Sequence, residues 1–367
     1  MTVRLLSLIM AISLLVSCGK DSADAIGEEP TRTSSAKSSK EIAKGPLSKI
    51  YIIADDQLWN QEMQDSVIYY FQSAYPLLPS PEPLYDLMRY STQQILTKEE
   101  RRQLRTYLLL ADLSDTESKA TQMALRDIGE ARANEVKASG DYKLIIGKDK
   151  WAEGQTIVYA MGYGKKNIFE NIRKNFNTID KSIRKGEYPK RQKSIYLAGI
   201  NPEVVSELKN TMNLNIQIPS DYFLAMNDKE TKVAWIRRES SKASFNIMIK
   251  DLGSFDEKVF SKEGMKKIRN ELGLYVSSNQ EDSYMVINDV DLPTIMSSTS
   301  FNNNFALEAR GIWELENDFM GGPYVSYIVH NPNSDRVLFI DGFAHAPGEE
   351  KRGLMLQLEH IIKTLSF

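Results

Sequence analysis

The chain has 367 residues, a formal net charge of -3 and 26% charged residues. That mild acidity excludes the basic face a nucleic-acid binder needs, and a single cysteine excludes a disulfide framework. A hydrophobic share of 42% is that of a globular protein, and the length suits about two domains.

Residues 1–4 carry one positive charge, residues 5–16 form an uncharged apolar run, and small Ser17 precedes Cys18. Such a run has the length of a signal h-region, whereas a membrane span needs about 20 residues. Leu15-Val16-Ser17-Cys18 resembles the lipobox of bacterial lipoproteins. The resemblance makes residues 1–17 a signal peptide and Cys18 the lipidated first residue of the mature chain. Acyl chains on that sulfur, at about 0.8 kcal/mol per buried methylene, are the expected membrane anchor. The expected address is the cell envelope, at the outer membrane, with the periplasmic or surface face left open. Residues 18–49 are polar, include Ser34-Ser35-Ala36-Lys37-Ser38-Ser39-Lys40, and have no helical or strand period. They read as a flexible tether, because such a segment cannot bury enough surface to offset its ordering entropy.

A first folded half is expected over residues 50–190. Ile50-Tyr51-Ile52-Ile53-Ala54 reads as a buried strand, and Asp55-Asp56 as a helix start. Met63, Val67, Phe71 and Ala74 recur at helical spacing until Pro76, Pro79, Pro81 and Pro83 force an extended loop. Residues 84–91 and 106–113 read as strands, 118–137 as a charged helix, and 141–147 and 156–161 as strands. The order β-α-β-β-α-β is that of the split βαβ or ferredoxin-like plait. Ile168, Ile172, Phe176 and Ile179 mark one more amphipathic helix.

A second half is expected over residues 191–367. It opens with a strand at 194–198. Asn201-Pro202 then caps and starts a helix whose apolar face is Val205, Leu208 and Met212. Residues 222–226, 233–238 and 244–250 read as antiparallel strands, and Phe245, Ile247 and Ile249 alternate, so one face is expected buried and the other wet. Ser261 caps a helix that ends at Gly273. Strands follow at 283–288 and 305–314, then a hairpin of 324–329 and 336–341. A last helix carries Leu354, Leu358, Ile361, Ile362 and Leu365 on one face. Both halves close on a strand, a glycine, an aromatic and a helix, which suggests a tandem duplication. The expected fold class is α+β: two tandem α/β-plait-like halves with mostly antiparallel sheets covered by helices.

Four stretches occur in a characteristic order: Leu78-Pro79-Ser80-Pro81-Glu82-Pro83-Leu84-Tyr85-Asp86, Trp151-Ala152-Glu153-Gly154-Gln155, Gly322-Pro323-Tyr324-Val325 and Gly342-Phe343-Ala344-His345-Ala346-Pro347. With Lys351-Arg352 behind them, they resemble the Bacteroidetes lipoproteins grouped as domain of unknown function 4837. The resemblance extends over about residues 48 to 367. It implies an envelope address and brings no catalytic residue.

Few residues here point to chemistry. Asp55-Asp56 at a strand end has the makings of a metal site, but a helix cap with a solvated neighbour is the commoner role. The charge-dense stretch 98–105 reads as a solvated face. The histidines are His330, His345 and His360. Asp341, His345, Glu349 and Glu350 crowd one connection, yet their spacing matches no metal motif. His360 reads as a surface pair with Glu359. Trp59, Trp151, Trp235 and Trp313 are candidates for a glycan cleft, although large aromatics more often pack in cores. No metal and no cofactor is expected. The candidate binding surface is Phe343, His345 and Arg352, on a loop held by Gly342 and Pro347. The bland alternative is that this segment only docks the last helix, with Phe343 in the core. The functional expectation is a non-enzymatic binding or envelope-maintenance module, its partner an envelope protein or glycan. The alternative is an envelope hydrolase using paired carboxylates.

Overall fold

The computed structural model describes residues 40–139 and 144–367. The expected signal peptide, Cys18 and the tether up to residue 39 lie outside the described residues, as does the beginning of the expected strand at 141–147. Lys40–Phe367 forms one compact unit. Ordered chain begins upstream of Ile50. Ile42 bridges to Glu153 and Lys44 to Leu104, and Ala43 and Ser48 are buried.

The first half runs β1 (Lys49–Ile53), α1 (Gln61–Phe71), β2 (Asp86–Tyr90), α2 (Thr92–Thr97), α3 (Glu99–Arg102), β3 (Thr106–Asp112), α4 (Lys119–Ile128), α5 (Glu130–Ser139), β4 (Ile145–Lys148), β5 (Thr156–Gly162) and α6 (Lys165–Ile195). Its sheet has the order β2-β1-β3-β5-β4. The pairs β1–β2, β1–β3 and β3–β5 are parallel, and only the edge pair β4–β5 is antiparallel. This wiring departs from the expected plait. Helices cross over between parallel strands and cover both faces, as in doubly wound sheets. On one face Ile50, Ile52, Leu108 and Val158 pack against α1 and α6. On the other, Ile53, Leu109 and Ile157 meet Met123 and Ala124 of α4.

The second half contains α7 (Pro202–Met212), β6 (Phe223–Asp228), β7 (Val233–Glu239), β8 (Ser244–Gly253), α8 (Lys262–Gly273), β9 (Tyr284–Asn288), β10 (Ile295–Phe301), β11 (Asn304–Glu316), β12 (Gly321–Asn331), β13 (Arg336–His345) and α9 (Arg352–Ile362). Eight strands form an antiparallel sheet in the order β10-β11-β12-β13-β8-β7-β6, with β9 also paired to β11. Helices α7 and α9 cover one face through Leu208, Leu358 and Ile361 against Ile247, Val325 and Ile340. Helix α8 covers the other through Met265, Ile268 and Leu272 against Met248, Ile328 and Phe339. One half is wound in parallel and the other is antiparallel, so the expected duplication is not seen. The mixed α+β class with two helix-covered sheets is.

Residues 194–195 end α6 and 196–198 form a turn, where a strand was expected. Helix α6 therefore runs across the boundary expected at residue 190. Gly273 and Gly342 are present for space rather than for conformation. A β-carbon on Gly273 would lie 2.0 Å from the Met285 carbonyl oxygen, and one on Gly342 would lie 2.5 Å from Cδ1 of Ile362.

Candidate functional site

The stretch 75–86 leaves the first half and enters the second. Tyr75 and Leu78 are buried in the core beneath α9, while Tyr85 returns to the core of the first sheet. Between them, proline-flanked Glu82 reaches the start of α9. Its two carboxylate oxygens accept the backbone N–H of Lys351 at 2.6 Å and of Arg352 at 2.8 Å. A helix N-terminus leaves such donors without intrahelical partners, and here the acid comes from the other half. The Arg352 side chain completes the joint. Its Nη2 lies 2.9 Å from Asp86 Oδ2, and its Nη1 donates to the Pro83 carbonyl.

Beside this joint is a cleft of about 310 Å³. Three elements each bring one arginine to it: Arg191 from α6, Arg238 from β7 and Arg352 from α9. Leu47, Ile195, Pro219, Leu356 and Ile361 form an apolar wall. Arg191 Nη2 is 3.2 Å from Glu187 Oε2, one helical turn away. Glu187 is buried, and its Oε1 accepts the Ser48 N–H at 2.8 Å. Burial pushes the Glu187 carboxyl up, and the Ser48 bond and the charges of Arg191 and Arg105 oppose that only in part. Arg238 Nε is 2.8 Å from Asp221 Oδ2, and the guanidinium lies 4.7 Å above the Phe245 ring. Tyr222, 2% exposed, also lines the cleft. Arg238 sits near its hydroxyl, but no group meets that hydroxyl in hydrogen-bond geometry.

The expected surface of Phe343, His345 and Arg352 is not assembled. Phe343 is 1% exposed and packs edge-on against Trp313, with ring centroids 5.6 Å apart, in the core under α8. Alternation along β13 is the reason: Phe343 and Ala344 point to opposite faces and both faces are covered. His345 ends the strand, its Nδ1 2.9 Å from the Gly321 carbonyl oxygen. Arg352 alone reaches the cleft.

The metal alternatives dissolve in the same way. Asp341 is fully buried and paired with equally buried Arg269, whose Nε is 3.2 Å away. Burial raises the Asp341 carboxyl, while Arg269 and the Ser326 hydroxyl, at 2.6 Å, work against the shift. Glu349 instead pairs with Lys242. Among the described residues, no group of three His, Cys, Asp or Glu side chains is placed to hold a metal ion. Asp55 is not the cap of α1, which is Asn60. It ties two later helices to the end of β1, accepting from Thr92 at 2.8 Å, Ser118 at 2.7 Å and the Ala120 N–H at 3.0 Å. Burial pushes its carboxyl up, but those bonds outweigh it and hold it below the ordinary range. Asp56 pairs with Arg89. The four tryptophans are divided among three cores: Trp59 packs under α1 and α6, Trp151 under α4, and Trp235 and Trp313 near α8.

His360 is buried rather than a surface partner of Glu359. It faces α6, its ring 4.6 Å from that of Tyr188 and its Nε2 bonded to Gln192. Glu359 binds Arg310 at 2.8 Å and accepts from Tyr75. Sequence reasoning missed Arg191, Tyr222 and Arg238. No motif marks them, and they meet only because the fold brings the end of α6, β7 and α9 to one cleft.

No curated protein gives a significant match to the sequence. Among solved structures, the chain is similar to LpqN, "involved in cell envelope biogenesis of Mycobacterium tuberculosis", at 14% identity. The likeness covers 42% of this chain and 82% of that one with a TM-score of 0.27, which does not establish a shared fold. Residues 43–196 match the family described as domain of unknown function DUF8532. The motifs at 78–86 and 151–155 therefore fall in this family's span, and the resemblance drawn over about 48 to 367 narrows to the second half. Residues 201–364 match domain of unknown function DUF4837, so the chain carries a domain of that family behind its first half.

Proposed function

We propose that the protein is a lipid-anchored cell-envelope protein whose folded part binds a ligand in the cleft between its halves. The cleft is the observation that carries this reading. It sets three guanidiniums around an apolar wall, at the size where ligand pockets begin, roughly 300–1,000 Å³. Glycan hydrolysis through paired carboxylates, the alternative, needs two of them facing one cavity about 5–10 Å apart. The carboxylate in this lining is Asp221, and Arg238 already holds it. The anchor rests on the apolar run ending at Cys18. Among the described residues no helix is long and apolar enough to cross a membrane, so lipid on Cys18 is the proposed attachment.

Two measurements test this. Cys18→Ser should move the protein out of the washed membrane fraction, and a variant that still pellets there refutes the lipid anchor. The purified protein should leave envelope glycan and peptide fragments uncut. Turnover that disappears in Asp221→Asn would replace the binding reading with the hydrolase.

A further inference from the structure

We infer that the cleft takes a small amphiphile with an anionic head, carboxylate or phosphate, and a short apolar body. This rests on the cleft being the ligand site. The lining is rich in donors and poor in acceptors. Arginine offers five N–H donors and accepts nothing, and three arginines converge here. Gly353, in the first turn of α9, also lines the cleft. Glu82 takes the N–H groups of Lys351 and Arg352 but not that of Gly353. The positive end of the helix dipole favours an anion at that point.

Tyr222 supplies the independent sign of a ligand. A buried hydroxyl without a partner carries a desolvation cost that an incoming acceptor removes. Burial pushes its ionisation far upward, so at neutral pH it is a donor. A cationic ligand would face three guanidiniums. Each guanidinium spends only part of its five donors on the carboxylate it holds, and a neutral polar ligand would meet the remaining N–H groups without the gain of a charged acceptor.

Size and wall complete the description. About 310 Å³ holds about ten water-sized groups at ~30 Å³ each. Leu356 and Ile361 are already buried, at 8% and 1% exposure, but Leu47 and Ile195 keep apolar surface that a short apolar body would cover. An eight-carbon chain with one charged head fits both limits.

The test uses the mature chain carrying Cys18→Ser. Octanoate and octyl phosphate are the anionic probes, octanol and inorganic phosphate the controls, and titration calorimetry the readout. The expected result is saturable binding of at least one anionic amphiphile, with octanol and inorganic phosphate each about ten-fold weaker or more. Tyr222→Phe loses no bond in the free protein, so its melting temperature should hold. Its affinity should fall roughly ten-fold, the ordinary worth of a hydrogen bond to a charged group. Arg238→Gln should weaken binding at least as much.

If octanol binds as tightly as octanoate and Ser194→Trp abolishes both, the cleft remains a ligand site and the anionic head is wrong. If inorganic phosphate matches octyl phosphate, the apolar body is wrong. If no probe binds, or Tyr222→Phe and Arg238→Gln bind like the parent, the inference is overturned.

Discussion

Replacing Glu82 by alanine should weaken the joint between the halves by about 2–3 kcal/mol. Its two oxygens hold the Lys351 and Arg352 N–H groups at 2.6 and 2.8 Å. Loss of one capping bond costs typically ~1 kcal/mol, within a range of about 0.5–2, and two are lost here. Removing a negative charge from the positive end of a helix adds about 0.3–1 kcal/mol. Pro81 and Pro83 fix the backbone on either side, so a neighbouring acceptor cannot easily swing into place. Glu82→Gln keeps one acceptor and loses the charge, so it should fall near the middle of the interval. The assay is equilibrium urea unfolding of the mature Cys18→Ser chain, followed by tryptophan fluorescence and far-ultraviolet circular dichroism. If the alanine variant lies within about 0.5 kcal/mol of the parent, the scale of an ordinary surface substitution, then water caps α9 and Glu82 is not part of the joint.

Two further outcomes follow from buried charge. Burial, followed by the Arg191 charge, lowers His360 from 6.5 to about 4. Stability should be full above pH 6.5 and decline towards pH 4, because the unfolded chain takes up the proton first. The loss is on the order of 2 kcal/mol after solvent screening, and His360→Gln should flatten it in urea midpoints between pH 7 and 4.5; an unchanged pH slope refutes the assignment. In the other core, Asp341→Asn should cost about 3–5 kcal/mol by stranding the Arg269 charge. Arg269→Met combined with Asp341→Leu should lose far less, and thermal melts in which the double variant is the worse of the two would sink that reasoning.

Segments whose fold is local were legible in the sequence. Asn201-Pro202 starts α7, with the Asn201 side chain accepting from Val204 at 3.1 Å, and Ser261 caps α8 in the same way. The alternation in β8 placed Phe245, Ile247 and Ile249 in a core, but the wet face expected opposite them is covered by α8, with Asn246 and Met248 at 3% and 0% exposure. The parallel wiring of the first sheet also has its signal in the sequence. Residues 107–111 and 157–161 are continuous apolar runs, buried throughout, which is how strands covered on both faces read. Strand β10 escaped notice because Met296-Ser297-Ser298-Thr299-Ser300 lies at a sheet edge and has little to bury. The cleft was not legible at all. Arg191, Arg238 and Arg352 are far apart in sequence, and their meeting depends on tertiary docking. Arg352 was singled out for its neighbours in sequence, whereas its role comes from Asp86 and Pro83.

Helix α6 is 31 residues long, about 46 Å at 1.5 Å per residue, and it passes from the first core to the side of α9. A continuous rod takes the place where a multidomain protein would have a linker. The two families meet between residues 196 and 201, at the end of that rod. Cutting there to express either piece would strip Tyr75 and Leu78 from the core they complete and leave α9 without its cap. The boundary between the two family matches is thus not a boundary of stability. Either segment could be exchanged for another only together with the surface it docks on.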